Sequence, residues 1–138
     1  MQIFIVGSIF ETAKALDKKR FNKQIIETKQ IIAAITGEKQ SWNHHPIVFM
    51  YKGNLDWLKL YLAVLENFRD GNFESARIIS ESAETSKPVF LYEVSYLENM
   101  KRRLYTKDPN HYSQWADLGE SHVNMYYVNG EWKYYEQE

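Results

Sequence analysis

Between Asp17 and Gly37 the chain repeats one pattern: Phe21, Ile25, Thr28, Ile32 and Ile35 follow one another in steps of four, three, four and three. That is the spacing of a single face of an α-helix, and it predicts a long helix from Asp17 to about residue 36, stopped by Gly37. An apolar stripe of that length has to be covered by other elements, and most of the remaining chain offers helices to do it. Ser8 followed three residues later by Glu11 is a capping-box pattern, predicting a helix from Ser8 to about Leu16. Asn54 is placed to cap a helix whose Leu55, Leu58, Tyr61, Leu62, Leu65 and Phe68 form one face, ending in the turn Arg69-Asp70-Gly71-Asn72. Phe73, Ala76, Ile79 and Ala83 keep helical register until Thr85-Ser86-Lys87-Pro88 breaks it, and Val89 to Thr106 reads as a further helix. Residues 38–46 lack periodicity and end in proline, which predicts a loop that reopens into a short helix after His45.

Strand signals are confined to the two ends. Gln2-Ile3-Phe4-Ile5-Val6 is β-branched and aromatic and is closed by Gly7, which reads as a short strand or extended arm. Near the other end Asn129-Gly130 sits between aromatic arms spanning 125 to 135, a strong β-hairpin signal. With 138 residues, enough for one ordinary domain, the expectation is a mainly α, compact single-domain fold over 1–138. It carries a short N-terminal strand and a C-terminal β-hairpin.

The 17 Lys and Arg against 18 Asp and Glu leave a net charge of -1, so any basic surface that attracts polyanions must be local. The absence of cysteine excludes disulfides, thiolate metal sites and cysteine nucleophiles, and fits a reducing compartment. The longest apolar run, Ile3 to Val6, is far short of a membrane span, so the expectation is a cytoplasmic protein with no membrane partner. Phosphate-binding glycine loops, nucleophile elbows and dinucleotide fingerprints do not occur. His44 and His45 are adjacent and project differently, while His111 and His122 are remote, so no metal-ligand spacing arises. Arg20, Lys23, Gln24 and Glu27 share a face of the long helix, where they either line a cleft or form an ordinary Lys23–Glu27 surface pair. The run from Lys101 to Lys107 holds four cations and no acid, as a helix C-terminus favours.

Three separated blocks carry a family resemblance. They are the segment from Leu16 to Glu27 (Leu-Asp-Lys-Lys-Arg-Phe-Asn-Lys-Gln-Ile-Ile-Glu), Ser41-Trp42-Asn43-His44-His45-Pro46, and the segment from Arg102 to Tyr112 (Arg-Arg-Leu-Tyr-Thr-Lys-Asp-Pro-Asn-His-Tyr). In order, helical context and chain length they resemble the pyrimidine-dimer DNA glycosylase family, the endonuclease V-like proteins of phages and some bacteria. The resemblance implies a DNA-repair endonuclease that is both glycosylase and lyase, hydrolysing and then cleaving at a damaged pyrimidine without a metal or other cofactor. It implies attack by a terminal α-amine on deoxyribose C1′, a Schiff base and β-elimination, with one carboxylate moving protons.

Carried over by position, the resemblance implies Met1 and Glu27 as catalytic groups and Arg103 and Lys107 as phosphate-binding groups, and Arg20 and Lys23, on the helix face that bears Glu27, are expected to bind nucleic acid or phosphate beside them. It adds Trp42, Asn43, His44 and His45 as a candidate pocket, and Trp132-Lys133-Tyr134-Tyr135 as an aromatic tail. The bulk of Gln2 retains the initiator residue, so the nucleophile is the Met1 amine. The chain departs from the family pattern at Ile26 and Gln30, where DNA-contacting arginines are expected. DNA or a nucleotide is the implied partner. The alternative reading is a non-catalytic, phage-encoded module of the same fold that binds a nucleotide, a nucleic acid or a protein.

Overall fold

The computed structural model describes residues 1–39 and 43–136. In chain order these form α1 (Ile9–Ala15), α2 (Lys18–Thr36), α3 (Pro46–Tyr51), α4 (Leu55–Arg69), α5 (Phe73–Ala83), α6 (Val94–Lys107), β1 (Val123–Val128) and β2 (Glu131–Glu136). Short 3-10 turns lie at Glu84–Ser86, Val89–Tyr92 and Ser113–Leu118. The mainly helical fold with a terminal hairpin is as expected from the sequence.

Local chemistry explains most boundaries. At α1 the Ser8 hydroxyl accepts from the Glu11 amide (3.0 Å) and the Glu11 carboxylate accepts from the Ser8 amide (3.2 Å), the reciprocal capping box. Asp17 caps α2 by accepting from the Arg20 amide (3.4 Å), and Gly37 ends it at φ 82°, a left-handed conformation that costs glycine little. His45 opens α3: its Nδ1 accepts from the Ile47 amide (3.1 Å), with Pro46 at the first helical position. Asn54 precedes α4 as expected, but its side chain makes no capping bond; at ψ 34° it departs from the extended geometry that an N-cap side chain needs.

Two further expectations are corrected. The helix foreseen over Val89 to Thr106 is broken at Glu93, which adopts φ -80° and ψ 111° between the 3-10 turn and α6. The break lets the consecutive residues Phe90 and Leu91 both enter the core, Phe90 packing edge-on against Tyr51 at 5.2 Å. The apolar face of α2 also drifts after Thr28: Ile31 and Ala34 are fully covered, whereas Ile32 and Ile35 are only half-buried.

Helix α4 forms the centre, packing on α1, α2 and α5 and burying Leu58, Tyr61, Val64 and Leu65. The hairpin pairs β1 with β2 from Val123↔Glu136 to Val128↔Glu131 and lays β1 on α3 and α6. Its turn residues Asn129 and Gly130 take φ 53° and 78°, the two positive values of a type I′ turn.

The expected N-terminal strand is an extended arm instead. Ile3, Phe4 and Ile5 are buried, each contributing about 1.5–3 kcal/mol of hydrophobic stabilisation. The surrounding helices offer no ladder edge, so side chains satisfy the arm's backbone. Gln24 Nε2 donates to the Gln2 carbonyl (2.8 Å) while its Oε1 accepts from the Phe4 amide (2.9 Å). Tyr61 donates to the Phe4 carbonyl (2.7 Å), Thr12 accepts from the Val6 amide (3.0 Å), and Tyr126 donates to the Met1 carbonyl (2.8 Å). Backbone groups taken out of water need such partners, and here they also fix where the chain's first nitrogen lies.

Candidate functional site

The arm ends in a cleft of about 280 Å³. Met1, Gln2 and Phe4 form one side; Lys19, Arg20, Lys23, Gln24 and Glu27 of α2 form the floor; Arg103 and Lys107 of α6 and Asn124 of β1 close it. Helical spacing accounts for this convergence. Arg20, Lys23 and Glu27 step by three and four along α2, and Arg103 and Lys107 by four along α6, so each set shares one face.

The carboxylate of Glu27 is largely covered, 13% exposed, and pairs with the exposed Lys23 ammonium at 3.6 Å. Arg20 is held by Asp17 (Nη1 to Oδ2, 3.2 Å) and reaches the Lys107 carbonyl with Nη2 at 3.5 Å. Arg103 is only 3% exposed; its Nη1 donates to the Ser121 carbonyl (3.2 Å) and its Nε has no partner. Among the described residues neither Arg103 nor Lys107 makes an ion pair.

The electrostatics follow from this excess of cations in a partly dry space. Burial is the main force lowering the pKa of the Met1 amine; the Glu27 carboxylate opposes it, while Lys23, Lys107 and Arg103 push the same way as burial. Lys107 is lowered by burial and by its cationic neighbours Arg103, Lys23 and Arg20, with Glu27 opposing. Arg103 is lowered by burial. Such a cleft lowers the pKa of the amine in the presence of one acid, and its uncompensated guanidinium and ammonium favour an anionic ligand.

The structure therefore brings Met1, Glu27, Arg20, Lys23, Arg103 and Lys107 together in one cleft. Of the loop residues, the described ones, Asn43, His44 and His45, are not brought there. His44 is exposed and Asn43 half-buried, and His45 is committed to the α3 cap. The His45 ring packs edge-on against Tyr126 at 5.6 Å, and burial, then the nearby Met1 amine, lower its pKa. His45 does not line the cleft. Trp42 lies outside the described residues. Ile26, 59% exposed, and Gln30 occupy the solvent face of α2, so that face lacks the two cations the family pattern places there.

Sequence reasoning missed Gln2 and Asn124 in the cleft, and Gln24 and Tyr126 as the clamps on the arm. Gln24 carried a readable signal: it lies three residues after Phe21 and four before Thr28, on the apolar face. Among the described residues, no group of three or more His, Asp or Glu side chains is arranged to hold a metal ion, and no helix is long and apolar enough to cross a membrane.

Fold and cleft define a small helical protein with a chain-terminal amine, an acid and a cationic rim in one place. The family model for pyrimidine dimer DNA glycosylase matches residues 1–67, the stretch that contains the arm and all of α2. Over that stretch, a little under half of its length, the chain is similar to the pyrimidine dimer DNA glycosylase family. No curated protein and no solved structure matches it.

Proposed function

We propose that the protein is a DNA glycosylase and lyase acting on damaged pyrimidines, with the Met1 amine as nucleophile and Glu27 as proton carrier. The observation that carries this reading is the shared cleft, in which burial lowers the pKa of the Met1 amine beside Glu27. An amine with lowered pKa has more free lone pair near neutrality.

In the first step the Met1 nitrogen attacks C1′, and the glycosidic C1′–N1 bond breaks with its electrons leaving on the base. The nitrogen gives up one of its two protons and keeps the other, the sugar ring opens at C1′–O4′ to leave an iminium between Met1 and C1′, and the departed base takes a proton from water. Glu27 accepts a proton from the amine and returns one to the ring oxygen, while its charge stabilises the cationic sugar. Loss of a C2′ proton then expels the 3′ phosphate by β-elimination, and water hydrolyses the imine to free the amine. Arg103 and Lys107 hold backbone phosphates, with Arg20 and Lys23 at the mouth. A cleft this small takes the sugar only after the damaged nucleotide leaves the stack.

Borohydride reduction during incubation with duplex carrying an abasic site or a thymine dimer tests the proposal. A covalent protein–DNA adduct is expected, and Glu27→Gln should lose turnover while keeping duplex binding. Salt-sensitive duplex binding with no adduct on either substrate would replace the enzyme with the non-catalytic binding module.

A further inference from the structure

Three carboxamides line or border the same cleft, and they are used in opposite ways. Gln24 is saturated: it bonds the Gln2 carbonyl, the Phe4 amide and the Tyr61 hydroxyl. Gln2 is as thoroughly buried, 5% exposed, yet neither its Nε2 nor its Oε1 makes a hydrogen bond of normal geometry. The Tyr126 hydroxyl sends its proton to the Met1 carbonyl and its oxygen faces the Gln2 amide as a weak acceptor, so the Gln2 Oε1 is the atom left without any partner. Across the cleft Asn124 Oδ1 is likewise covered and without a partner.

Buried amide groups are nearly always paired, so unpaired carboxamide oxygens on two residues that line an open cleft mark a place where something else supplies the donor. The cations of this site suit phosphate and the developing charge on the sugar; they do not suit a neutral heterocycle. A carboxamide does, because it offers one acceptor and two donors in a plane and so pairs side by side with the lactam or imide edge of a nucleobase.

We infer that Gln2 and Asn124 form a base-edge subsite, which holds the polar edge of the damaged pyrimidine next to the sugar attacked by Met1. The inference rests on the glycosylase reading above and adds specificity-determining residues to it. Direct recognition at position 2 also couples to chemistry, since the residue that grips the base is bonded to the residue carrying the nucleophile.

The test compares the rate on a thymine-dimer duplex with the rate on an abasic duplex, which has sugar and phosphates but no base edge. Gln2→Met keeps length and bulk, and Asn124→Leu does the same in the strand. Each variant should lower the dimer-to-abasic ratio of single-turnover rates by about tenfold. The ratio of dissociation constants for dimer duplex and tetrahydrofuran-abasic duplex should move in the same direction. The abasic reaction doubles as the check on folding. A wild-type protein that reacts, with variants whose ratio is unchanged or that lose both reactions equally, overturns the subsite and leaves the glycosylase reading standing. A wild-type protein that neither traps nor discriminates the two duplexes overturns both.

Discussion

Replacing Gln24 with methionine separates the arm from the helices without changing side-chain length. The substitution leaves the Gln2 carbonyl and the Phe4 amide without partners, while Tyr61 still holds the Phe4 carbonyl. Each stranded buried group costs about 1–3 kcal/mol, so the expected loss is about 2–6 kcal/mol. Against a total stability of about 5–15 kcal/mol for a domain of this kind, that is a large share. With a urea dependence of about 2 kcal/mol/M the unfolding midpoint should fall by roughly 1–3 M. Gln24→Glu keeps the acceptor for Phe4 and Tyr61 but loses the donor to Gln2, and should fall about half as far. Because the same bonds place Met1, borohydride trapping should drop in both variants at urea-free conditions where circular dichroism shows them folded. A midpoint within about 0.3 M of wild type for Gln24→Met, or normal trapping by it, would refute the idea that this one side chain replaces a missing sheet partner.

Tyr112 donates to Asp17 Oδ1 and accepts from the Asp17 amide (2.9 Å), tying the segment after α6 to the start of α2. Tyr112→Phe should cost about 1–3 kcal/mol by urea unfolding at pH 7. Although burial opposes it, hydrogen bonds from Tyr112 and Arg20 hold the Asp17 carboxyl below its usual range. A depressed folded pKa stabilises above the unfolded value and is lost as pH falls through the folded one, so the gap between wild type and Tyr112→Phe should narrow below about pH 4. Lys107→Met removes a cation that lowers the Met1 amine. The amine limb of the trapping-rate profile should lie below the ordinary α-amine range of about 7.7–8.0 in wild type and move upward in this variant; an unmoved limb would remove Lys107 from the site. Arg103→Met should weaken duplex binding and reduce the slope of log affinity against log salt by about one, and because it strands the Ser121 carbonyl it should also cost about 1–3 kcal/mol of stability by urea unfolding.

Helix α2 and its caps were legible because periodicity, Asp17 and Gly37 all agree, and the hairpin because Asn129-Gly130 fits one turn type. The arm was legible only as extended backbone: whether Ile3 to Ile5 meets a strand or a set of side chains depends on Gln24 and Tyr61, twenty and more residues away. The break at Glu93 escaped because composition there suits a helix, and only the packing of Phe90 against Tyr51 requires the turn. In the cleft the charged groups of α2 and α6 could be placed from spacing and family pattern. Gln2 and Asn124 had no such signal, since an unpaired carboxamide is visible only when its surroundings are known. His45 followed the family block into the candidate pocket, and its capping bond to Ile47 explains its absence from the wall.

The position of the reduced adduct on the chain separates the Met1 amine from every other nucleophile. After borohydride trapping on abasic duplex, digestion and mass spectrometry should find the sugar remnant on the α-nitrogen of Met1, and a protein extended by two residues ahead of Met1 should trap nothing. An adduct on a lysine side chain, or undiminished trapping by the extended protein, would contradict the account.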